Sequence, residues 1–540
     1  MARLRHRYWL TGTLVAESAL YVGGLQNESV TADLGQTRDG FDRIILPGTS
    51  LAGVIRSRLA GDDDRQFWWG AQLSGFAADD GDGSPSRRVG ASRITVHDAP
   101  SQSEPVLERR DSSSVDRVTG AAARRHLFSR YLVPSGTAFD FAMAMEVAQA
   151  ALAEEAQSYL RAILATLTRD GVSIGSGITR GLGVLRLLAP RLRREDFTCA
   201  AGLFAAIDVG GEDLDVPECG DSPTDEPASG VLRISVPWRP LGPVTSKIDV
   251  EGTEVDAIPA TTRRGEALRL LLPGSSLKGA LRSHAERVAR TARDESPIDA
   301  DEFAEQMHQA ADLPFIAELF GAPSNWARSQ PGRRGLLTVH DVVSRAEVPA
   351  RQWDLVRVSA EAEARPTASR EQRDGARGEL GRAVAELNAA LADSGLWFDV
   401  VTRNAIDRWT GAAADRALFT SIEPYVVADC NESGWADIVV DLDVERARRG
   451  NDARHVDALL AFILLLLRDL AEGWIPIGFG ATRGCGAMRA NDDGIRFRFA
   501  GEPSNDHIAH FDSRTLREVL SNRELTEALL EAWDEAIGCR

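Results

Sequence analysis

The sequence predicts an α+β protein in which one domain plan is written twice in tandem. Three observations carry that expectation. Four sequence blocks recur in the same order, alternating and helically spaced apolar stretches accompany each set, and an acidic, proline-bearing segment separates the sets. LPGTSLAGVIRSRLAG, from Leu46, returns as LPGSSLKGALRSHAERVAR, from Leu272. ITVHDA at Ile94 returns as LTVHDV at Leu337, and VDRVTGAAARRHLF at Val115 as IDRWTGAAADRALF at Ile406. IGSGITRGLGVLR at Ile174 returns as IGFGATRGCGAMR at Ile477. Four blocks in one order are the mark of a tandem duplication.

Each copy opens on an alternating stretch, RYWLTGTLVAESALYVGG or VLRISVPWRPLGPV, which predicts a strand. Pro47 and Gly48, like Pro273 and Gly274, then predict a turn. Thr49 or Ser50, and Ser275 or Ser276, predict N-caps of a helix. Leu51 and Leu277 are expected to face a core, and Arg56 and Arg282 to face outward. ITVHDA and TAFDFAMAMEV read as strands and AEEAQSYLRAILATLTRDG as a helix; the glycine block then opens a last strand. This order suits a ferredoxin-like split βαβ unit with large excursions. The expected boundaries are a first domain at 1–210, an acidic linker at 211–230, and a second domain at 231–510. The second domain carries an insertion at about 342–403, read as an exposed helix flanked by mobile chain, and a helical tail follows at 511–540.

Composition narrows the function classes. The chain has 540 residues, 43% hydrophobic and 26% charged, which suits two to four soluble domains. No apolar run approaches the roughly 20 residues that a membrane helix needs. The longest, ALLAFILLLL at Ala458, ends in charge and reads as a buried helix. The N-terminus lacks the apolar centre of a signal peptide, and a cytoplasmic protein is expected. Five scattered cysteines without a C-x-x-C pair support neither a disulfide framework nor a zinc site. The net charge of −18 argues against indiscriminate nucleic-acid binding. Acid is heaped in a few segments, however, while arginine clusters elsewhere and only Lys247 and Lys278 are lysines. A basic stripe of Arg56, Arg117, Arg125, Arg180, Lys278, Arg282, Arg408 and Arg483 is expected on an acidic body.

Several blocks invite chemistry. The glycine block surrounds an arginine in each copy, Arg180 and Arg483. It suits either a tight turn needing positive φ or a backbone cradle for phosphate. The dinucleotide fingerprint fits poorly, because this loop follows a helix and opens a strand. The LPG block presents amides at a helix start, with Ser50 and Ser276 able to donate to phosphate oxygens; simple capping is the alternative. His97 and His340 read as strand-end histidines bonded to the following aspartate, with a general base as the lesser reading. Asp33 and Asp256 lie in polar loops before each LPG turn. A carboxylate there could hold a divalent ion or orient a hydroxyl so that a phosphodiester cleaves itself.

Taken together, the loop aspartate, LPGSSLKGALR, the IDR-x-TGAA block and the late glycine loop resemble the RAMP superfamily. More narrowly they resemble backbone subunits of type III CRISPR effector complexes. The resemblance spans both copies apart from the linker, the second-copy insertion and the tail. It implies two RRM-like domains gripping a guide RNA by its backbone, with a thumb hairpin in each that flips a nucleotide from the guide–target duplex. It implies metal-dependent cleavage of target RNA, with Mg2+ or Mn2+, promoted by Asp33, which a second acid, Asp39, follows; Asp256 matches less well. The thumbs are expected around residues 98–120 and within the insertion before Asn404. Guide RNA, target RNA and other effector subunits are the implied partners, with no membrane. A guide-binding subunit without nuclease activity, a guide-processing endoribonuclease using His97 or His340, and a small-molecule enzyme are the alternatives.

Overall fold

The computed structural model describes residues 4–23, 35–59, 62–70, 91–208, 210–216, 227–250, 255–264, 267–324, 330–361, 370–426, 434–491, 493–502, 504 and 506–538. They form two compact units. The first comprises Met1–Leu107, Tyr131–Ile178 and Leu182–Asp225; the second comprises Glu108–Arg130, Thr179–Gly181 and Glu226–Arg540. Two short pieces of the first repeat thus belong to the second unit, a division that the repeat boundaries do not suggest.

In the first unit the strand His6–Ala16 lies between Ala138–Val147 and Val184–Asp196, antiparallel to both. Ile94–Val96 pairs beyond the former and Glu212–Leu214 beyond the latter. Alternation explains the central strand, since Tyr8, Leu10, Leu14 and Ala16 are buried. The helices Gly48–Arg58 and Ala153–Ala165 bury Leu51, Ile55, Leu160 and Ile163 in the same core. Residues 212–214 therefore continue the first sheet as an edge strand, where a linker was expected. The acid there is accommodated because an edge strand keeps one side in solvent.

The second unit repeats the plan. Val231–Val236 lies between Ile438–Asp443 and Arg496–Ala500, with Leu337–Val339 beyond Ile438–Asp443. The helices Gly274–Ala292 and Ala453–Glu472 stand at the equivalent places. Both units thus have the antiparallel order fourth-first-third-second of a ferredoxin-like fold, as the sequence predicts. The run ALLAFILLLL is buried nearly all round, because the C-terminal helix Arg523–Ile537 packs on Ala453–Glu472. Phe462 and Trp533 meet there with ring centroids 5.1 Å apart. The insertion is two helices rather than one exposed helix. Ala350–Glu361 and Arg370–Ala390 bury Trp353, Val356, Val384 and Leu387 against each other and the hairpin that follows.

Two hairpins lie apart from the two ferredoxin-like sheets, the second extended by Ala257–Pro259 and Lys247–Asp249, and both turn on the DR-x-TG block. One joins Glu108–Val115 to Ala122–Leu132, and the other joins Leu396–Ile406 to Ala413–Val426. The ranges expected to carry thumbs overlap these hairpins, the first of which runs on past residue 120 and the second past Asn404.

The LPG block is architectural in both units. A Cβ on Gly48 would run into the Val96 carbonyl, and one on Gly274 into the Val339 carbonyl and to 2.7 Å from that of Arg180. The helix start can approach the neighbouring strand only without a side chain. The helices begin at Gly48 and Gly274, with Pro47 and Pro273 as N-caps that lend no side-chain bond. The cap comes from across the sheet. The Gly48 amide donates to Asp98 Oδ1 at 2.7 Å, and the Gly274 amide to Asp341 Oδ1 at 2.8 Å. The expected serine and threonine caps are thus replaced by the aspartates of the TVHD block, and His340 bonds Asp441 (2.8 Å) instead of the aspartate that follows it. Gly274→Ala should lower the stability of the second unit by about 1–3 kcal/mol, read as a shifted denaturation midpoint; an unchanged midpoint would contradict this packing.

Candidate nucleic-acid interface

The predicted site residues fall into three groups. The first surrounds the LPG helix of the second unit. Lys278 is buried, and its Nζ donates to the carbonyl oxygens of Leu337 (2.7 Å) and Thr179 (3.2 Å). Burial, and then the charges of Arg180 and Arg282, pull its ammonium down from 10.5 to about 7. Arg180 is itself half-buried, and burial lowers its pKa as well. Arg282 faces inward: Nε bonds Glu286 at 2.8 Å and Nη1 the Gly321 carbonyl at 3.2 Å. In the first unit Arg56 makes the matching bond to the Gly70 carbonyl at 3.0 Å. Both arginines therefore tie their helix to a glycine carbonyl, and the outward placement expected for them is corrected. The short match of GAQLS to GAPSN in the sequence carries this signal.

Arg117 also turns inward. Its guanidinium forms a two-point pair with Glu286 (2.6 and 3.2 Å), and the Glu286 side chain has no exposure to solvent. Its charge is neutralised inside the protein and is withdrawn from the expected stripe. Ser50 and Ser276 lie in the first turns of their helices. Their own N–H groups donate to the Pro47 and Pro273 carbonyls, both at 2.9 Å. Asp98 and Asp341 stand at the Gly48 and Gly274 amides, so the protein's own carboxylate already meets part of each helix start.

Arg125 and Arg408 form the second group, exposed on the two hairpins. The third group lies at the base of the second hairpin. Arg483 is exposed, with its guanidinium 5.7 Å from the Phe419 ring centre and 5.8 Å from that of Phe479. Lys247 Nζ lies 4.9 Å from the Phe479 ring and pairs with Asp249 at 2.6 Å. The glycine loop makes this possible. Gly478 has φ 82°, and a Cβ there would collide with the Thr245 carbonyl, so the loop folds tightly enough to present Phe479 and Arg483 beside Lys247. The tight-turn reading and a surface role thus coexist at Arg483.

Asp256 borders this cluster. It is exposed, its Oδ2 accepts the Thr420 amide at 2.7 Å, and its own amide donates to the Thr420 carbonyl at 2.9 Å. Its other carboxylate oxygen has no hydrogen-bond partner among the described residues. Beyond Phe419 the same hairpin face continues, since Arg403 opposes Phe419, Asp399 opposes Glu423 and Trp397 opposes Tyr425. Arg403 pairs with Glu423 (3.0 Å to Oε2), and the Trp397 and Tyr425 rings stack at 4.5 Å. Phe419, Phe479, Lys247 and Arg403 were not among the predicted site residues. Phe419 stands in the repeated LF of the DR-x-TG block, and Phe479 at the variable position of I-G-x-G.

Asp33 lies outside the described residues. Asp39 does not: its Oδ1 accepts the Phe41 and Arg43 amides, both at 2.9 Å, so it shapes a turn. Among the described residues no three His, Cys, Asp or Glu side chains gather as a metal site, and no helix is long and apolar enough to cross a membrane.

Two split βαβ units with hairpins, and a face where cations stack on aromatic rings, define an RNA-binding protein of RRM-like architecture. A RAMP superfamily model matches residues 13–186 and 262–489, one stretch for each repeat. The chain belongs to the RAMP superfamily, the CRISPR-associated family of RNA-binding proteins. No curated protein matches it.

The depressed Lys278 gives a signed prediction. Between pH 7 and 10.5 the unfolded chain holds this proton more readily than the folded one, so the stability contributed here rises with pH through that window. Wild type should gain stability relative to Lys278→Met between about pH 6 and about pH 9, measured by denaturant unfolding. A difference independent of pH would contradict the assignment.

Proposed function

We propose that this chain is a guide-RNA-binding backbone subunit of a type III CRISPR effector complex, and that it cleaves target RNA with a loop aspartate. The observation that supports the reading is the cluster of Arg483 and Lys247 over Phe419 and Phe479, with Asp256 one backbone bond away at Thr420. Aromatic faces accept bases whatever their sequence, and cations above them meet the phosphates. This suits a protein that leaves sequence recognition to base pairing.

For cleavage, the free oxygen of Asp256 can accept the proton of a ribose 2′-hydroxyl as the 2′-oxygen attacks the neighbouring phosphorus; the P–O5′ bond breaks, a 2′,3′-cyclic phosphate forms, and water protonates the departing 5′-oxygen. Asp256 would also hold a divalent Mg2+ or Mn2+ ion together with RNA phosphate oxygens. One carboxylate with substrate phosphates is an ordinary setting for Mg2+, and the ion would stabilise the developing negative charge. Asp33 is the corresponding residue in the first repeat. The bond from Asp256 Oδ2 to the Thr420 amide favours one second reading, in which this aspartate shapes a turn and the subunit only holds RNA.

Two measurements test the proposal. In the assembled complex, Asp33→Ala with Asp256→Ala should lower target-RNA cutting at least about a hundredfold while guide RNA is retained. Cuts persisting at the same positions and rate would leave only the RNA-holding role. Arg483→Ala should weaken guide binding and reduce the slope of log affinity against log salt by about one. An unchanged slope would remove Arg483 from the interface.

A further inference from the structure

Arg186 and Arg489 close the repeated glycine block, yet only the first of them has a partner. In the first unit Glu17 takes the Arg186 guanidinium at two points, and the carbonyls of Thr168 and Arg169 accept from Nη1 at 2.9 and 2.6 Å. Val15 faces Arg186 across the strand pair. In the second unit both of these neighbours have changed. The Leu241 amide donates to the Ala487 carbonyl as the Glu17 amide does to that of Val184, so Leu241 stands in the place of Glu17. Arg239 stands in the place of Val15, directly opposite Arg489.

Like charges set opposite each other across an antiparallel pair repel. Arg239 and Arg489 are both exposed, and neither guanidinium has a hydrogen bond or an ion pair among the described residues. A second change lies beside them. Gly171 and Gly473 each precede the glycine block with positive φ (68° and 87°), yet the second repeat has one residue more before the block's isoleucine, Ile174 or Ile477. Val172 and Ile475 are both buried, so the additional residue is Trp474, which is 65% exposed. Its indole N–H donates to Glu472 Oε2 at 2.9 Å, which fixes the edge of the ring. Trp474, Glu472 and Arg489, with Ala471 and Ala490, line a cavity of about 370 Å³.

We propose that this corner of the second unit is a nucleotide subsite, with a base stacked on Trp474 and its phosphate held between Arg239 and Arg489. The two guanidiniums offer only donors. One carboxylate saturates a single guanidinium fork, whereas the oxygens of a phosphate accept from two, so a phosphate suits the pair better than an acidic side chain does. The indole face takes a base whatever its identity. Glu472 is the only carboxylate lining the cavity and is engaged by the indole, so the corner stays positive. None of these residues belongs to the Phe419–Phe479 face, and the subsite is additional to the function proposed above. Base and phosphate are common to two sources, a free nucleotide and a nucleotide of single-stranded RNA.

The test irradiates the RNA-loaded complex, and separately the full chain freed of RNA, with the photoreactive nucleotide 8-azidoadenosine triphosphate, and maps the adducts by mass spectrometry. Adducts are expected on the segment that runs from Ala471 to Ala490. Arg239→Gln combined with Arg489→Gln should lower their yield at least about tenfold, as should replacing the probe by 8-azidoadenosine, which lacks phosphate. Trp474→Ala should lower it as far, and Trp474→Phe, which keeps an aromatic face, should retain it. The denaturation midpoint should not move in any of these variants, since the side chains are exposed. Adducts that survive in the loaded complex assign the subsite to a free nucleotide; adducts confined to the RNA-free chain assign it to a nucleotide of the bound RNA. No adduct on that segment in either preparation, equal labelling by the phosphate-free probe, or labelling indifferent to the two arginines would each overturn the proposal. So would p-benzoylphenylalanine at position 474 joining the complex's chain to another protein.

Discussion

One contact recurs in both units and organises what surrounds it: the carboxylate of the TVHD block closing the first turn of the LPG helix. Asp98 meets the Gly48 amide and Asp341 the Gly274 amide. The bond ties the helix start to a strand that is remote in sequence, and it needs a glycine because the strand carbonyl occupies the space a Cβ would take. A helix N-terminus carries partial positive charge, so a fixed carboxylate there is favourable. In the second unit Asp341 does more. Its other oxygen holds Arg110 at 2.6 Å, whose guanidinium also reaches Glu108 at 3.3 Å. Glu108 in turn accepts from Thr262 and the Arg263 amide, both at 2.7 Å. A chain of paired, largely buried charges thus anchors the first hairpin's base to the LPG helix.

Several of the repeated basic residues are likewise engaged by the chain itself. Arg56, Arg117, Arg282 and Lys278 are held by carbonyls and carboxylates of the chain itself. The cation–aromatic face joins Arg483 and Phe419, which stand in repeated blocks, to one position where the repeats differ. Phe479 replaces Ser176, and Arg483 stands over it. The duplication kept the scaffold in both halves and allowed the surface to differ, which is where function on a shared fold resides.

Much of the architecture was legible in the sequence. The duplication, the split βαβ order, the buried run at Ala458 and the glycine turns all follow from local pattern and period. The N-cap was misassigned because its donor and acceptor are 50 residues apart in one unit and 67 in the other, beyond any local rule. The basic stripe was overdrawn for a related reason. Helical spacing says which side of a helix Arg282 occupies, but Glu286 and the Gly321 carbonyl decide that it folds inward. Arg483 could be found from the repeat. Its partners Phe419 and Lys247 could not, since the face forms only when a hairpin base, a short strand and a glycine loop come together.

The central claim is that RNA meets the Phe419–Phe479 face and not the LPG helix starts. Ultraviolet cross-linking of the guide-loaded complex, read residue by residue by mass spectrometry, tests it most directly. Nucleotide adducts are expected on Phe419, Phe479 or Lys247, with none on Ser50 or Ser276. Adducts concentrated at the two serines, and absent from that face, would contradict the account.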